Sequence, residues 1–349
     1  METDFNSFKT LMIKTGLSLG AIITSKKVYD AIFKRLKRPD YSLIPGLYDY
    51  HRYGDLLNRQ MIEFKSKKKV TLEGYYYPAE KPLGLVLFVH GFKSGADDYL
   101  PIYYYLVKNN FAVFSYDGTG VYSSEGRSMV GFCQTLLDVE SAISFLQKNR
   151  RFKKMPLFLL GHSCGGYAVN SVLALKKGIK ACASFAAVNN AYTIVLEKGY
   201  QYAGELAAEG FPKEFLDTYQ RILFGKYTEY DSLKGLNSVK IPMLVAHGMN
   251  DETIDFKSQS LISHKKEFKN PNVRFYYGTE NQGGHVSIWH SRESNDYQKE
   301  VDQHLKEMKR ASNEEKREYI KTVNHYLYSE INYTLFDEII KLYKDALKK

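Results

Sequence analysis

One serine of the chain stands in a setting suited to nucleophilic catalysis. Residues Gly161–Gly165 read G-H-S-C-G and match G-x-S-x-G, directly after the apolar run Pro156–Leu160 and directly before a helix-like stretch. A strand, a sharp turn and a helix form the context in which this motif presents a serine hydroxyl at the edge of a sheet. The glycines make room for the sharp turn. The pattern therefore predicts that Ser163 is a nucleophile.

A serine hydroxyl is a weak nucleophile until a base takes its proton. The candidate base is His285, which lies in the polar, glycine-containing loop Asn281–His285 just past the last predicted strand, Val273–Tyr277. The carboxyl ends of parallel strands meet at one edge of a sheet, and this is where α/β proteins bind ligands. We therefore expect His285 to reach Ser163.

The histidine needs a carboxylate that fixes its tautomer. Asp251 follows directly after the predicted strand Pro242–His247 and is our candidate for this acid. Glu252 and Asp255 lie close by and remain alternatives. The resulting order of serine, aspartate and histidine along the chain is that of hydrolases built on an α/β sheet.

The oxyanion of a tetrahedral intermediate needs two N–H donors. We predict that these are the backbone amides of Cys164, directly after the candidate nucleophile, and of Phe92, in the loop His90-Gly91-Phe92 after the strand Leu85–His90. His90 is interpreted as a structural hydrogen-bonding residue. The Cys164 thiol is interpreted as buried and inert, because a nucleophile must occupy the vertex of the turn.

Other kinds of site lack support in the sequence. The glycines of Gly118-Thr119-Gly120 are not followed by the G-K-[ST] of a phosphate loop. There is no H-x-x-x-H, no C-x-x-C and no cluster of carboxylates at ligand spacing. We therefore expect neither a metal nor a cofactor.

Short apolar runs alternate with longer amphipathic stretches from about residue 60 onward. This rhythm predicts an α/β fold with a mostly parallel central sheet flanked by helices. The predicted strands are Met61–Lys65, Val70–Tyr77, Leu85–His90, Phe111–Tyr116, Pro156–Leu160, Lys180–Phe185, Pro242–His247 and Val273–Tyr277. Residues 189–240 break the rhythm and are predicted to form a helical cap inserted before the strand of the acid.

These motifs together resemble the α/β-hydrolase superfamily, and within it the serine aminopeptidase/monoacylglycerol lipase-like branch. The resemblance is carried by His90-Gly91-Phe92, Tyr116–Gly120, Gly161–Gly166, Asp251 and Gly284-His285, and it covers about residues 60–310. It implies the α/β-hydrolase fold, a triad of Ser163, Asp251 and His285, and oxyanion amides from Phe92 and Cys164. Cys164 stands where the family commonly has Met or Gln.

The cap insertion is rich in aromatic residues, among them Tyr192, Tyr200 and Phe224. These rings either line a substrate pocket or pack the cap onto the body. We expect hydrolysis of carboxylic esters with small or lipid-like acyl groups. A peptidase or amidase is the alternative, with Glu197, Glu205 and Glu209 as an acidic subsite. A non-catalytic ligand-binding protein is less favoured, because each triad role has a candidate.

The chain has 49 Lys and Arg against 39 Asp and Glu, and most of this basic excess lies in residues 1–69. No nucleic-acid module is present, so we expect no nucleic-acid partner. Peripheral contact of the N-terminal segment with an anionic membrane is a minority hypothesis. The predicted organisation is an N-terminal basic helical extension (1–59), a hydrolase domain (60–310) and a C-terminal helical extension (311–349), in which the apolar spacing predicts two helices. Nothing in the sequence defines the oligomeric state.

Three cysteines are too few and too odd in number for a disulfide framework. They favour a reducing compartment and hence a cytoplasmic protein.

Overall fold

The centre of the molecule is one eight-stranded sheet. The strands are β1 (Gln60–Lys65), β2 (Thr71–Tyr77), β3 (Gly84–Val89), β4 (Phe111–Tyr116), β5 (Leu157–His162), β6 (Ile179–Phe185), β7 (Met243–Gly248) and β8 (Val273–Gly278). The computed structural model describes residues 22–23, 25–27, 29–195 and 213–348. The strand order is β1-β2-β4-β3-β5-β6-β7-β8. The β1–β2 and β2–β4 pairs are antiparallel and all later neighbours are parallel, which confirms the predicted mostly parallel sheet.

Helices cover both faces of this sheet. They are α1 (Leu100–Lys108), α2 (Phe132–Lys148), α3 (Cys164–Ser171), α4 (Lys213–Phe224), α5 (Ser232–Asn237), α6 (Arg292–Glu307), α7 (Asn313–Thr322), α8 (His325–Tyr328) and α9 (Tyr333–Leu347). Apolar residues of α1 and α9 pack on one face, and those of α2, α3 and α5 pack on the other. Because β3, β4, β5 and β7 are buried on both faces, every residue in them is buried. This is the reason for their continuous apolar sequences.

The insertion between β6 and β7 contains helical residues 191–195 and the helices α4 and α5, and its described part carries no strand. Its predicted helical character is therefore seen in that part. Whether the insertion acts as a cap over the site stays a prediction, because residues 196–212 lie outside the described part of the chain.

The segment before β1 packs closely on the sheet. Arg38 and Arg59 both form ion pairs with the buried carboxylate of Asp97, and the Arg59 Nη1–Asp97 Oδ1 distance is 2.7 Å. Tyr29 and Phe33, further upstream, are buried in an aromatic cluster. The predicted division of the chain into three segments remains a prediction. Among the described residues, no helix has the length and apolar character needed to cross a bilayer.

The segment after residue 311 contains three helices, where the periodicity predicts two. The first predicted helix is divided between α7 and α8, because Asn324 caps a new helix by accepting a hydrogen bond from the Leu327 amide at 3.1 Å. The second predicted helix is α9. Its Tyr343 ring lies 4.7 Å from that of Phe158, and its hydroxyl donates to the Leu159 carbonyl at 2.7 Å. This segment therefore packs against the strand that precedes Ser163.

Candidate active site

Ser163 occupies a strained turn between β5 and α3. Its backbone has φ 54° and ψ −119°, values that a residue with a side chain rarely adopts. The turn brings α3 very close to the sheet, and this is possible because residue 165 is a glycine. A Cβ at Gly165 would lie 2.1 Å from the Val89 carbonyl oxygen. The Ser163 amide donates to the Phe185 carbonyl at 3.0 Å and ties the turn to the neighbouring strand. Strain of this kind is typical of functional sites.

The structure brings His285 to Ser163, although 122 residues separate them. His285 Nε2 lies 2.9 Å from Ser163 Oγ, and both side chains are buried. The loop that carries His285 follows β8 closely. A Cβ on Gly248, at the end of β7, would lie 2.1 Å from the Gly283 carbonyl oxygen, so the two loops are in direct contact.

The acid in contact with His285 is Asp251. His285 Nδ1 lies 2.8 Å from Asp251 Oδ2, while Asp251 Oδ1 accepts the amides of Thr253 and Ile254 at 2.8 Å each. These backbone bonds orient the carboxylate toward the ring.

The two alternative acids occupy other places. Glu252 Oε2 accepts the backbone amide of His285 at 3.1 Å and does not meet the ring nitrogen. Asp255 accepts the amides of Lys257 and Ser258 in an exposed turn. The structure thus brings Asp251, and neither alternative, to the imidazole of His285.

The surroundings of Asp251 favour its ionised form. Burial alone would raise the pKa of this carboxyl, but hydrogen bonds from His247 and His285 outweigh burial and hold the pKa well below its ordinary value. A carboxylate can only accept hydrogen bonds. The proton of the His285 ring is therefore on Nδ1, which leaves Nε2 free to accept the proton of Ser163.

The two predicted oxyanion residues border Ser163. Cys164 is the first residue of α3, where helix N–H groups lack partners inside the helix. Phe92 follows Gly91, at which a Cβ would lie 3.4 Å from the Cβ of Ser163. The loop after β3 therefore packs directly against the nucleophile turn. The donor role of the two amides stays a prediction.

Cys164 and His90 lie beside the oxyanion loop. Their surroundings agree with the interpretation of Cys164 as an inert thiol and of His90 as a structural residue. Burial raises the pKa of the Cys164 thiol to about 12, so this side chain stays protonated. Its Sγ lies 3.3 Å from Thr135 Oγ1. His90 accepts the Gly118 amide at Nε2 (3.0 Å) and lies 2.8 Å from the Gly91 carbonyl through Nδ1. Both contacts join backbone segments, as expected of a structural histidine.

Two of the three candidate substrate-binding rings, Tyr192 and Phe224, are buried. Tyr192 and Phe224 belong to the aromatic cluster that also contains Tyr29 and Phe33. A Cβ on Gly131 would lie 2.9 Å from Phe224 Cζ, which shows how tightly this ring is packed. Tyr200 lies outside the described residues, as do Glu197, Glu205 and Glu209. Contact of these side chains with a substrate stays a prediction.

The aromatic cluster reaches the oxyanion loop. The Phe92 ring lies 4.8 Å from that of Phe132 and 5.4 Å from that of Phe33, in edge-to-face arrangements. These three rings, with Cys164, help to line a small cavity of about 30 Å³. An aromatic cavity therefore lies beside the candidate oxyanion loop. In the part of the chain that the structure describes, no group of three or more His, Cys, Asp or Glu side chains is placed to hold a metal ion.

Two histidines that the sequence analysis does not single out lie beside Asp251 and His285. His247, the penultimate residue of β7, places Nε2 3.0 Å from Asp251 Oδ2. His162, the last residue of β5, contacts the backbone of His285. Their positions at strand ends next to the motifs are a signal in the sequence, but the direction of each ring is set only by the fold.

Sequence comparison relates the chain to one family model and to several individual proteins. The family model for serine aminopeptidase matches residues 80–217. The chain is 27% identical over 250 residues to the protein YfhR of Salmonella typhi, across 68% of this chain and 78% of that protein. It is 31% identical over 105 residues to mouse monoglyceride lipase, which covers 30% of this chain and 34% of the lipase.

Solved structures show the same fold. An esterase from Pyrococcus furiosus superposes with a TM-score of 0.54 and 18% sequence identity, over 74% of this chain and 91% of the esterase. Family and structural neighbours together indicate a hydrolase. The chain has the α/β-hydrolase fold and resembles the serine aminopeptidase/monoglyceride lipase-like branch of that superfamily.

Proposed function

We propose that this chain is a serine hydrolase that cleaves carboxylic esters through an acyl-enzyme intermediate. The observation that carries the proposal is the continuous hydrogen-bonded line from Ser163 Oγ through both nitrogens of His285 to Asp251 Oδ2, at 2.9 and 2.8 Å. This line supplies a nucleophile, a base and an acid that orients the base. The similarity to an esterase and to a monoglyceride lipase supports an ester as the substrate.

The reaction begins when Ser163 Oγ attacks the ester carbonyl carbon and its proton passes to His285 Nε2. The negative charge that develops on the carbonyl oxygen is stabilised by the amides of Cys164 and Phe92. The imidazolium of His285 is stabilised by Asp251. As the C–O bond breaks, His285 gives its proton to the leaving alcohol, and Ser163 holds the acyl group.

Water then releases the acyl group. His285 takes a proton from the water molecule, and the resulting oxygen attacks the acyl carbon. The second tetrahedral intermediate collapses as the bond to Ser163 Oγ breaks and His285 returns its proton to that oxygen, which gives the free acid and regenerated Ser163. The rings of Phe92 and Phe132, which pack together beside the candidate oxyanion loop, favour an acyl or alcohol part with apolar surface.

A fluorophosphonate probe tests the nucleophile. We expect labelling of the wild-type protein at Ser163 and none of Ser163→Ala. A tryptic peptide that carries the label in Ser163→Ala would contradict the assignment. Removal of the nucleophile lowers hydrolysis of p-nitrophenyl esters by about 10⁶-fold, since the members of a triad act as one unit.

Peptide hydrolysis is the second candidate, because the matching family model is that of a serine aminopeptidase. A p-nitrophenyl ester series from acetate to decanoate, run beside aminoacyl-nitroanilides, separates the two. We expect turnover of the esters to exceed turnover of the anilides at every chain length. Faster cleavage of an aminoacyl-nitroanilide would replace the ester proposal with the peptidase one.

We infer a cytoplasmic location from the thiols. Cys133, Cys164 and Cys182 are all buried and free. Free thiols persist in reducing compartments. Fractionation of the native cells tests the inference, and recovery of the protein from an oxidising compartment or the medium would contradict it.

A further inference from the structure

His162 touches the two loops that the reaction needs, from a place directly next to the nucleophile. Its Nδ1 lies 2.8 Å from the hydroxyl of Tyr99, and its Nε2 lies 3.2 Å from the backbone carbonyl oxygen of His285. The Tyr99 hydroxyl in turn accepts the amide of Gly91 at 3.1 Å. A chain of hydrogen bonds thus runs from the loop after β3, past Ser163, to the loop after β8.

The chemistry of the partners assigns every proton in this chain. The His285 carbonyl can only accept, so Nε2 of His162 carries the ring proton and donates it. Nδ1 is then bare and accepts the hydroxyl proton of Tyr99. The Tyr99 oxygen keeps its lone pairs for the Gly91 N–H. The order of donation is Gly91 to Tyr99, Tyr99 to His162, and His162 to His285.

The surroundings hold the His162 ring in one orientation. The ring stacks on Phe185 with centroids 4.9 Å apart and planes at 21°. Only 5% of His162 and 2% of Tyr99 is exposed. Burial, with the neighbouring His285, lowers the pKa of His162 to about 3, so the ring stays neutral at ordinary pH. Both hydrogen bonds therefore persist across the range in which an esterase is assayed.

The contacts leave little freedom for the loops. A Cβ on Gly91 would lie 3.1 Å from both His162 Nδ1 and Tyr99 Oη, so this loop rests on the ring itself. Gly91 directly precedes Phe92, the candidate oxyanion residue. The carbonyl that His162 holds belongs to His285, the candidate base. Small displacements of either group would lengthen a distance on which the transition state depends.

We propose that His162 is a positioning residue that aligns the oxyanion loop and the base loop with Ser163, through Tyr99 on one side and the His285 carbonyl on the other. The proposal rests on the proposed function. His162 does not exchange protons with the substrate, because its Nε2–H is engaged by a carbonyl and its Nδ1 by a hydroxyl.

Two substitutions of His162 separate its two links. The side-chain oxygen of His162→Asn occupies the place of Nδ1 and can keep the Tyr99 bond, while the bond to His285 is lost. The side-chain nitrogen of His162→Gln reaches the place of Nε2 and can keep the His285 bond, while the Tyr99 bond is lost. Tyr99→Phe removes the same bond to His162 by deleting the Tyr99 hydroxyl.

The matched control is Tyr103→Phe. Tyr103 lies one helical turn after Tyr99, is equally buried, and donates to Ser115 Oγ at 2.8 Å without any part in the chain. Its substitution removes a buried hydrogen bond of the same kind.

The readouts are kcat and KM for p-nitrophenyl butyrate, per site titrated with fluorophosphonate, together with Tm. Titration counts only correctly folded, reactive molecules, so a merely structural role would lower Tm or the titre and leave kcat per site unchanged. We expect each of the three variants to lower kcat per titrated site by about tenfold, with KM changed by less than about threefold. Tyr103→Phe lowers Tm alone.

Double variants test whether Tyr99 and His162 act through the hydrogen bond that joins them. Tyr99→Phe combined with His162→Gln should be no worse than the poorer single variant, because both break the same link. Tyr99→Phe combined with His162→Asn should show the product of the two single effects, because different links are broken. Multiplying effects in the first pair would show that Tyr99 acts independently of His162.

The proposal is overturned if kcat per titrated site is unchanged in both His162 variants. Failure of the proposed function looks different: the wild-type protein itself would then neither turn over the ester nor react with the probe. If the wild type reacts with the probe but turns over no ester, the rate of labelling at Ser163 replaces kcat as the readout, with the same expected ratios.

Discussion

His247 and His285 share one oxygen of Asp251. His247 Nε2 lies 3.0 Å from Asp251 Oδ2, and His285 Nδ1 lies 2.8 Å from the same atom. The His247 Nε2 also lies 3.2 Å from the Ile254 carbonyl, so both of its neighbours are acceptors and this nitrogen carries the proton. The side chain of His247 is fully buried. A second histidine thus helps to orient the candidate acid.

Removal of the His247 donor should weaken catalysis. A hydrogen bond to a charged group contributes about 1.5–3 kcal/mol, so we expect His247→Leu to lower kcat by about tenfold or more. His247→Gln places an amide N–H near the position of Nε2 and should keep most of the activity. Ester turnover per titrated site is the measurement. Equal activity of the two variants would contradict a role in orienting Asp251.

Asp251→Asn should be far more damaging. The amide can donate to His285 and favours the tautomer in which Nε2 carries the proton, so Ser163 loses its base. We expect kcat to fall by about 10³–10⁴, as when a triad aspartate is replaced elsewhere. The matched control is Asp255→Asn, which alters only the exposed turn at Ser258. Loss of activity in Asp255→Asn and not in Asp251→Asn would assign the role of the acid to Asp255.

The ionisation of Asp251 also predicts a pH dependence of stability. Its pKa is lower in the folded protein than in the unfolded chain, so it stabilises the fold above the unfolded value of about 3.9, and this contribution is lost as the pH falls further. The free energy of unfolding of wild type minus that of Asp251→Asn should be constant above about pH 5 and shrink below about pH 4. Urea titrations at a series of pH values measure it. A difference that grows in acid would refute the sign of the shift.

Gly165→Ala should disrupt the nucleophile turn. The added Cβ would meet the Val89 and His90 carbonyl oxygens at 2.1 and 2.5 Å, and backbone atoms cannot move aside cheaply. We expect a loss of stability of about 1–3 kcal/mol, the usual cost of overpacking, and a lower fluorophosphonate titre. Thermal unfolding and titration measure the two effects. A fully reactive, equally stable variant would show that α3 can withdraw from the sheet.

Contact with anionic membranes, proposed from the basic N-terminal segment, can be tested without removing that segment. Lys27, Lys34 and Lys37 are exposed. Substitution of all three by Glu should weaken sedimentation with phosphatidylserine vesicles, since each basic residue near such a surface contributes about 1 kcal/mol. Hydrolysis of a water-soluble ester should be unchanged. Equal binding of the variant and the wild type would dismiss the membrane proposal.

The sheet and its carboxyl-terminal edge could be predicted because each strand is marked by a short apolar run of neighbouring residues. All eight predicted strands are present, and their ends differ from the prediction by at most two residues. The encounter of Ser163 with His285 follows from the same pattern, since residues that come after parallel strands gather at one edge. The positions of most candidate site residues could therefore be predicted from the repeated short apolar runs.

Contacts between distant segments gave no such signal. The sequence places Arg38 and Arg59 in a basic extension. In the structure, both form ion pairs with the buried carboxylate of Asp97. The network of His162 and Tyr99 was missed for the same reason, because 63 residues separate the two and ring orientation depends on packing. Periodicity reports which residues are buried and does not report what they touch.

Segments that are far apart in the chain contact each other: the Leu47 amide donates to Oγ of Ser329, 282 positions further along, at 2.7 Å. During synthesis, the face of the sheet that carries Phe111 and Phe158 is covered only in part, by α1, until α9 has left the ribosome and can pack on it. Domains of this size pass through such partly covered intermediates, and these aggregate readily. The nascent protein therefore has a vulnerable interval, and low temperature or a chaperone during expression should improve its yield.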